Sequence, residues 1–310
     1  MLTRRHIRVK VMQSLYSISH DGEQSLEKQV FFFKESVKKS YDLYYLLISL
    51  FKSVYYHAQR KKILEKKLQY ELSNSPTDKI LKNPYFKFFA QNKNIHDYLK
   101  KSKLNNWETD SEYINQFYLD LIKNQFHNDY LIGVSDEIDN KFCLNFYKEC
   151  IASSDRLYDY LEDNQLTWID DLPVVNTHIL KQIKSVKIEN IKSLDLPSFN
   201  IDSEETKFGI ELLANIISKT DLLETEIIGK TPNWESDRIA DIDFILLKMA
   251  ISELLFFNEI PVRVTINEYI EIAKDYSTPK SNIFINGVLD NISKDFKVKG
   301  RLNKEGRGLL

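Results

Sequence analysis

The chain has little glycine and proline, with 8 Gly and 7 Pro among 310 residues. Folds made of many short strands need these residues at their turns, so their scarcity disfavours turn-rich β architectures. Cysteine is scarcer still: Cys143 and Cys150 are the only two, seven residues apart in an apolar stretch with helical spacing. That spacing places the thiols two turns apart, too far for a bridge, so we expect buried free thiols in a reducing compartment.

Long apolar runs are also lacking. No uninterrupted run is long enough to span a bilayer, and the basic first residues precede no signal-peptide core, so we expect a cytoplasmic protein without membrane contact. Hydrophobic residues still make up 43% of the chain, enough for a buried core and too many for a disordered chain. The chain is also long enough for two compact units.

Apolar residues recur at three- and four-residue steps, which predicts an all-α fold. The first predicted helices cover 3–20 and the stretch from Ser25 past Tyr56, and a later one lies near 206–229. Within the middle of the chain, Ser75-Pro76 and Asn83-Pro84 each pair a cap residue with a proline at the first helical position. Four more helices are predicted there, over 111–126, 137–150, 154–163 and 173–188.

The end of the chain has the most regular pattern. Three further helix starts are predicted, at Ser236, at Thr265 with Glu268 in capping-box spacing, and at Thr278-Pro279. The buried face of the last helix is predicted to consist of five apolar residues, namely Ile285, Val288, Leu289, Ile292 and Phe296.

Basic residues are concentrated at both termini. Residues 1–16 contain four and no acid, and residues 296–310 contain five against one acid, while the whole chain carries a formal charge of −2. Basic ends on an acidic body indicate a localised contact with a polyanion, although basic tails are also often only solubilising.

No catalytic residue, metal site or cofactor is predicted. The six histidines are scattered without zinc-ligand spacing or a neighbouring nucleophile, and the Gly-x-Gly at 306–308 follows no strand. Two carboxylate pairs are interpreted as solvated charges or helix caps, namely Asp170-Asp171 and Asp241 with Asp243. We therefore predict a protein that is not an enzyme.

The first candidate site is the basic start of the chain. On a helix Arg4 and Arg8 share one face, and Arg5 lies nearly in line with Tyr16 three turns later. Guanidinium groups bind phosphate at two points, and an aromatic ring can stack on an unpaired base. The spacing alone fits an exposed basic helix equally well.

The second candidate site surrounds the start of the final helix. Tyr276 ends one helix, Lys280 lies at the start of the next, and Phe284 follows in its second turn. A helix N-terminus between two aromatic rings and a lysine suits a phosphate with adjacent stacked bases. Packing of both rings at the rim of the core is the alternative, and the spacing slightly favours it.

Both candidate sites lie in segments that resemble the NusB family of transcription antitermination factors. The start, Arg4-Arg5-His6-Ile7-Arg8 through Gln13-Ser14-Leu15-Tyr16, resembles the Arg-rich first helix of that family, which ends in Gln-x-Leu-Tyr. The stronger match runs from Ile260-Pro261-Val262 to Asp290. It includes three separate motifs in the family's order: Ile266-Asn267-Glu268, Glu271-Ile272-Ala273-Lys274 and Phe284-Ile285-Asn286-Gly287-Val288-Leu289-Asp290.

The resemblance implies a pair of small helical bundles interrupted here by a helical insertion, as in a long form of the family. The implied domains are 1–74, an insertion over 75–204, a C-terminal bundle over 205–296 and a basic tail over 297–310. Family members bind the boxA RNA of ribosomal RNA leaders together with NusE, a small-subunit ribosomal protein, within the RNA polymerase antitermination complex. Homodimers are a further expected arrangement.

Carried over to this chain, the family's RNA contacts fall on Arg4, Arg5, Arg8, Tyr16, Tyr276 and Phe284, and Lys280 joins them from the spacing argument. The resemblance also implies that Gly287 permits close helix packing and that Asn286 and Asp290 are structural. Two alternatives stay open. NusB-like domains precede certain ribosomal RNA cytosine methyltransferases, but nothing here resembles their nucleotide-binding domain. The other alternative is a helical protein-interaction module without RNA binding of its own.

Overall fold

A computed structural model of the chain describes residues 1–21, 25–68, 75–124, 135–230 and 240–309. Within those ranges every regular element is a helix and no strand occurs, which confirms the all-α prediction. None of the helices in this part of the chain combines the length and apolarity that a bilayer crossing requires.

The helices of the described residues are named in chain order. They are α1 (Arg4–Asp21), α2 (Leu26–Lys67), α3 (Pro76–Lys82), α4 (Pro84–Gln91), α5 (Lys93–Lys101), α6 (Asn106–Thr109), α7 (Ser111–Lys123), α8 (Asp136–Asn145), α9 (Asp155–Asn164), α10 (Thr167–Ser185), α11 (Glu204–Ser218), α12 (Thr220–Ile228), α13 (Asp241–Phe256), α14 (Val262–Tyr276) and α15 (Ser281–Val298). A π-helix (Phe146–Ala152) continues α8, and 3-10 helices cover Ile188–Ser193 and Gly306–Leu309.

One compact unit consists of residues 38–199 together with Met1. Its core is rich in aromatic rings: Phe51 of α2 lies 5.0 Å from Phe86, 4.9 Å from Phe89 and 5.2 Å from Phe146, measured between ring centroids. Such pairs add to the free energy gained from burying their area.

The predicted helix caps in this unit are confirmed. Ser75 accepts a bond from an amide of α3, and Asn83 accepts from two amides of α4. Cys143 and Cys150 are buried free thiols as predicted, and burial raises the pKa of Cys150 to about 12.

The second compact unit consists of residues 2–37 and 200–310, so α2 contributes its first part here and its second part to the other unit. The five predicted inner residues of α15 are all buried, as are Ile7, Val11 and Leu15 of α1. Gly209 of α11 faces Phe33 and Ile7 so closely that a side-chain carbon would collide with both. Glycine at this position therefore allows α11 and α1 to pack in direct contact.

Before residue 231, two helix predictions are wrong in their bounds. The stretch 206–229 forms two helices, broken at Lys219, where the hydroxyls of Ser218 and Thr220 bond to carbonyls four residues back and compete with the regular helix. The helix predicted from 173 begins at Thr167 and contains Pro173. Trp168 anchors this early turn, because its buried indole donates to the Lys39 carbonyl at 3.0 Å.

The structure does not test two further predictions. The predicted helix start at Ser236 lies outside the described residues. The domain boundaries at 75 and 205 stay predictions, since they concern an insertion in the sequence, whereas the compact units, divided at 37/38 and 199/200, reflect packing.

Candidate nucleic-acid interface

A cap at Thr3 fixes the start of α1, the helix that carries the basic side chains. The Thr3 amide donates to His6 Nδ1 at 3.1 Å, and the Thr3 hydroxyl lies 2.9 Å from the same nitrogen. Burial lowers the pKa of His6, and the charges of Arg5 and Lys10 lower it further, which favours the neutral ring that can accept this bond. The helix therefore begins at Arg4.

Arg8 is the buried member of the basic cluster. Its Nε and Nη2 donate to the two carboxylate oxygens of Glu253 at 2.8 Å each, and Nη1 lies 3.4 Å from Glu268 Oε2. Burial would lower the pKa of Arg8, but the hydrogen bond and charge of Glu253 outweigh it and raise the pKa above its usual value. Two aromatic rings also pack beside this guanidinium, which lies 5.2 Å from the Phe208 ring and 5.8 Å from the Tyr269 ring.

Arg5 and Arg4 remain at the surface. Arg5 makes a two-point pair with Glu268, with Nε and Nη2 each 2.9 Å from a carboxylate oxygen, yet its side chain is 46% exposed. That hydrogen bond raises the pKa of Arg5, and the charges of Glu268, Glu271 and Asp275 raise it further. The Arg4 guanidinium lies 5.4 Å from the Phe208 ring, so Arg4 and Arg8 share a face as predicted.

Glu253 joins three helices of this unit. Its fully buried carboxylate also accepts from the Thr265 hydroxyl at 2.8 Å and from the Tyr269 hydroxyl at 3.1 Å. The predicted capping box of Thr265 and Glu268 is therefore wrong, because α14 already begins at Val262 and both side chains bind partners on other helices. Sequence reasoning missed Glu253, although a single acid inside an apolar helix is a local signal of a buried partner.

The turn between α14 and α15 is held by a second buried acid. Asp243 accepts from the Ser277 hydroxyl at 2.6 Å and from the Ser281 hydroxyl at 2.7 Å, and Thr278 Oγ1 lies 2.7 Å from Ser281 Oγ. The last helix therefore begins at Ser281 rather than at Thr278-Pro279.

The interpretation of two of the paired carboxylates as solvated charges or caps is wrong. Asp243 is only 5% exposed and accepts the two serine hydroxyls, while Asp171 is 4% exposed and accepts the Ser40 hydroxyl at 2.7 Å. A buried carboxylate with hydroxyl donors serves to position the segments that carry those donors.

The predicted aromatic residues lie at or near the surface of the same unit. Tyr276 and Phe284 are half-buried, Lys280 is exposed, and Tyr16 of α1 is 41% exposed. Tyr276 follows Glu268 by eight residues, which is about 12 Å along α14. Arg5 therefore meets α14 at Glu268, about two helical turns before Tyr276.

A groove of about 700 Å³ opens beside the arginines. Arg4, Arg5, Pro261, Val264 and Glu268 are among its lining residues, so one edge comes from α1 and the other from the start of α14. The groove carries charges of both signs.

Gly287 does not have the predicted packing role. The residue is exposed, and a methyl group added to it would meet no other atom within 4 Å. Asn286 and Asp290 are exposed as well, and Asp290 accepts from Lys294 one helical turn later at 2.6 Å. The face of α15 that carries Asn286, Gly287 and Asp290, which follow Phe284 along the helix, is therefore exposed.

The basic tail is largely engaged within its own unit. Lys299 pairs with Asp295 at 2.8 Å, Arg301 pairs with Glu226 at 2.6 Å, and Lys304 Nζ donates to the carbonyl of Phe257 at 2.9 Å. These contacts fix the end of the chain, and they compete with the polyanion contact predicted for the tail. In the described part of the chain no group of His, Cys, Asp and Glu side chains could hold a metal ion.

Comparisons with known proteins identify the family. A model of the NusB family matches residues 180–294. The transcription antitermination protein NusB of Geobacter sulfurreducens is 42% identical over 93 residues, which cover 30% of this chain and 67% of that protein. The chain belongs to the NusB family.

Two other NusB relatives match shorter shares of their own length. The transcription antitermination protein NusB of Chloroherpeton thalassium is 37% identical over 130 residues, 42% of this chain and 62% of that protein. The protein of the same name from Salinibacter ruber is 58% identical over 86 residues, 27% of this chain and 54% of the relative. This chain thus spans just over half to three fifths of these two relatives.

Among solved structures, NusB of T. maritima is 32% identical, with 37% of this chain and 75% of that chain covered at a TM-score of 0.29. The stretch matched by the NusB family model contains Tyr276, Lys280 and Phe284 and leaves out the first helix with Arg4 and Arg5. It begins at residue 180, within the range predicted as the insertion.

Proposed function

We propose that this chain is a non-catalytic transcription antitermination factor that binds single-stranded RNA of the boxA type from ribosomal RNA leaders. The observation that carries the proposal is the exposure of Arg4 and Arg5 on α1, where Arg5 pairs with Glu268 of α14, within a member of the NusB family. Curated relatives of the chain are named transcription antitermination proteins, which supports the same role.

Arg5 is proposed to contact phosphate directly. In its two-point pair with Glu268 the Arg5 side chain is 46% exposed and Glu268 is 20% exposed, and pairs with a solvent-exposed partner contribute only about 0–1 kcal/mol. A phosphate can therefore replace the carboxylate at little cost and keep the two-point geometry. Arg4, also exposed, is proposed as a second phosphate contact beside the groove.

Arg8 is proposed to position α1 rather than to bind RNA. Its two-point donors already bind the buried carboxylate of Glu253, and its side chain is 3% exposed. Withdrawing it from that acid would leave an uncompensated buried charge, which costs far more than a phosphate contact returns. The family's arginine at this position therefore acts here through Glu253.

The corner between α14 and α15 is proposed to bind the bases. Tyr276 and Phe284, both half-buried, would stack on unpaired bases, and Lys280 precedes Ser281 at the start of α15. Tyr16, which is 41% exposed on α1, is proposed as a further stacking residue. The serine bonds to Asp243 hold the corner in place.

Binding of a boxA-type RNA, measured over a series of salt concentrations, tests this proposal. We expect Arg5→Ala to lower affinity and to reduce the salt slope by about 1, because one phosphate contact is lost. Phe284→Ala should cost about 1–3 kcal/mol of binding free energy without changing the slope. Arg156→Ala and Tyr158→Ala, exposed residues of the other unit, are the matched controls. Unchanged affinity in both test variants would contradict the proposed contacts.

NusE and the RNA polymerase antitermination complex are the proposed partners, and a homodimer is the proposed arrangement to test alongside them. Pull-down of NusE with and without RNA separates two functions. If RNA increases the amount of NusE that is captured, the result supports an RNA-binding factor. Capture without any RNA binding by the chain supports the protein-interaction module instead.

A further inference from the structure

A second cavity lies in the unit of residues 38–199, between α2 and the segment from α6 to α7. Its volume is about 770 Å³, within the size range of pockets that enclose small-molecule ligands. Every residue of the proposed RNA interface belongs to the other compact unit. The cavity therefore shares no residue with that interface, and binding of a ligand in it does not depend on the proposed function.

The two sides of this cavity carry opposite charges. Lys52 and Arg60 line it from α2, and Glu108 and Glu112 line it from α6 and α7. None of these four side chains makes a hydrogen bond or an ion pair with any described residue. Elsewhere in the same unit, Lys62 is paired with Asp78 at 3.0 Å. These four charges are thus available to a ligand.

The α2 side presents its groups in regular order. Lys52, Tyr56 and Arg60 follow one another at four-residue steps, so they share one helix face and are spaced by about 6 Å each. Tyr56 is 38% exposed between the two cations. A cation beside an exposed ring is the combination that binds a phosphate and stacks on the adjacent base.

His57 contributes its imidazole ring to the same cavity wall. Its Nε2 is closed to solvent, so this nitrogen does not face the cavity. A ligand would meet the rest of the ring, and the polar groups open to it include those of the four charged residues and Tyr56.

We propose that this cavity binds a nucleotide unit. Its phosphate would pair with Lys52 or Arg60, its base would stack on Tyr56, and Glu108 or Glu112 would accept a hydrogen bond from the base. Carboxylates accept from the exocyclic amino groups of guanine, adenine and cytosine, which uracil lacks. The cavity should therefore bind uridine nucleotides most weakly. A free nucleotide and one residue of an RNA strand share this chemistry.

The test uses the full chain with Arg5→Ala and Phe284→Ala, so that the proposed RNA interface does not contribute. AMP, GMP, CMP, UMP and single-stranded hexamers of adenosine and of uridine are titrated. The readouts are calorimetry and the intrinsic tryptophan fluorescence of the chain, to which Trp107 in the cavity lining contributes. Binding of mononucleotides supports a free nucleotide as the ligand, and binding of the hexamer alone supports a strand.

Whichever of Arg60→Ala and Lys52→Ala removes the phosphate contact should weaken binding and reduce its dependence on salt, and Tyr56→Ala should weaken binding by roughly 5- to 100-fold through the lost stacking. The double variant Glu108→Gln, Glu112→Gln should reduce the difference in affinity between uridine nucleotides and the other nucleotides. Lys101→Ala and Tyr158→Ala, exposed outside the cavity in the same unit, should change nothing. Unchanged helicity by circular dichroism shows that each variant is folded. Absence of binding at millimolar concentration, or equal binding by all cavity variants, would overturn the proposal.

Discussion

Arg8 and Glu253 form a two-point ion pair in the interior of the compact unit that carries the candidate RNA interface. Both distances are 2.8 Å, and the two side chains are 3% and 0% exposed. Thr265 and Tyr269 donate to the same carboxylate, so both oxygens of Glu253 have further partners. This pair ties α1 to α13 and α14, and it thereby fixes the helix face on which Arg4 and Arg5 are presented.

Removing one partner of this pair should be strongly destabilising. Arg8→Met leaves the Glu253 carboxylate buried without its cation, and we expect a loss of about 3–5 kcal/mol in the free energy of unfolding. Urea denaturation measures it. The double variant Arg8→Met, Glu253→Leu should recover part of the loss, because no unpaired charge remains. Arg4→Ala, which changes an exposed arginine of the same helix, is the control, and an equal cost for Arg4→Ala and Arg8→Met would refute this account.

Stability should depend on pH through Glu268. Burial alone would raise the pKa of Glu268, but the hydrogen bond from Arg5 and the charge of Arg8 outweigh burial and lower it. A lowered folded-state pKa contributes stability that is complete above the unfolded-state value near 4.3 and is lost as pH falls through the folded-state value. We therefore expect wild type to be more stable than Glu268→Gln at pH 7, with the difference closing below about pH 4. Denaturation curves from pH 7 to 3 check this, and a constant difference would contradict it.

Sequence periodicity predicted the helices whose apolar stripe has one clear direction. In α15 the five predicted inner residues are buried, because the repeat of apolar side chains indicates which face meets the core. Ser75 and Asn83 were likewise predictable as caps, since a cap depends only on residues within one turn.

The different roles of the arginines were not predictable from the sequence. Arg4, Arg5 and Arg8 are chemically identical, and what separates Arg8 is a carboxylate 245 residues further along the chain. Thr265 and Glu268 have the spacing of a local cap but bind partners on other helices instead. Pairing between residues so far apart produces no periodic pattern in the sequence. The local indication that remains is an acid such as Glu253 among the apolar residues of a helix.

Two glycines in helices should respond oppositely to alanine. At Gly209 the added methyl collides with Phe33 and Ile7, so Gly209→Ala should lower the free energy of unfolding by about 1–3 kcal/mol or more through overpacking. At Gly287 the methyl enters open space, and Gly287→Ala should raise the free energy of unfolding by up to about 1 kcal/mol, because alanine has the higher helix propensity. Thermal unfolding of both variants measures the contrast. Destabilisation by Gly287→Ala would show that α15 packs closely there.

The buried bonds of Asp243 distinguish a positioning effect from a charge effect on RNA binding. By charge alone, Asp243→Ala removes an acid near the proposed interface and should tighten binding of a polyanion. Because Asp243 holds Ser277 and Ser281 at 2.6 and 2.7 Å, we instead expect the α14–α15 corner to loosen and RNA affinity to fall, with a stability loss of about 1–3 kcal/mol from the unsatisfied hydroxyls. Asp221→Ala, which removes an exposed acid from the first turn of α12, is the matched control and should leave affinity nearly unchanged. Titration of RNA at a temperature where all variants are folded decides between the two effects. Tighter binding by Asp243→Ala would mean that the corner does not hold Tyr276 and Phe284 for stacking.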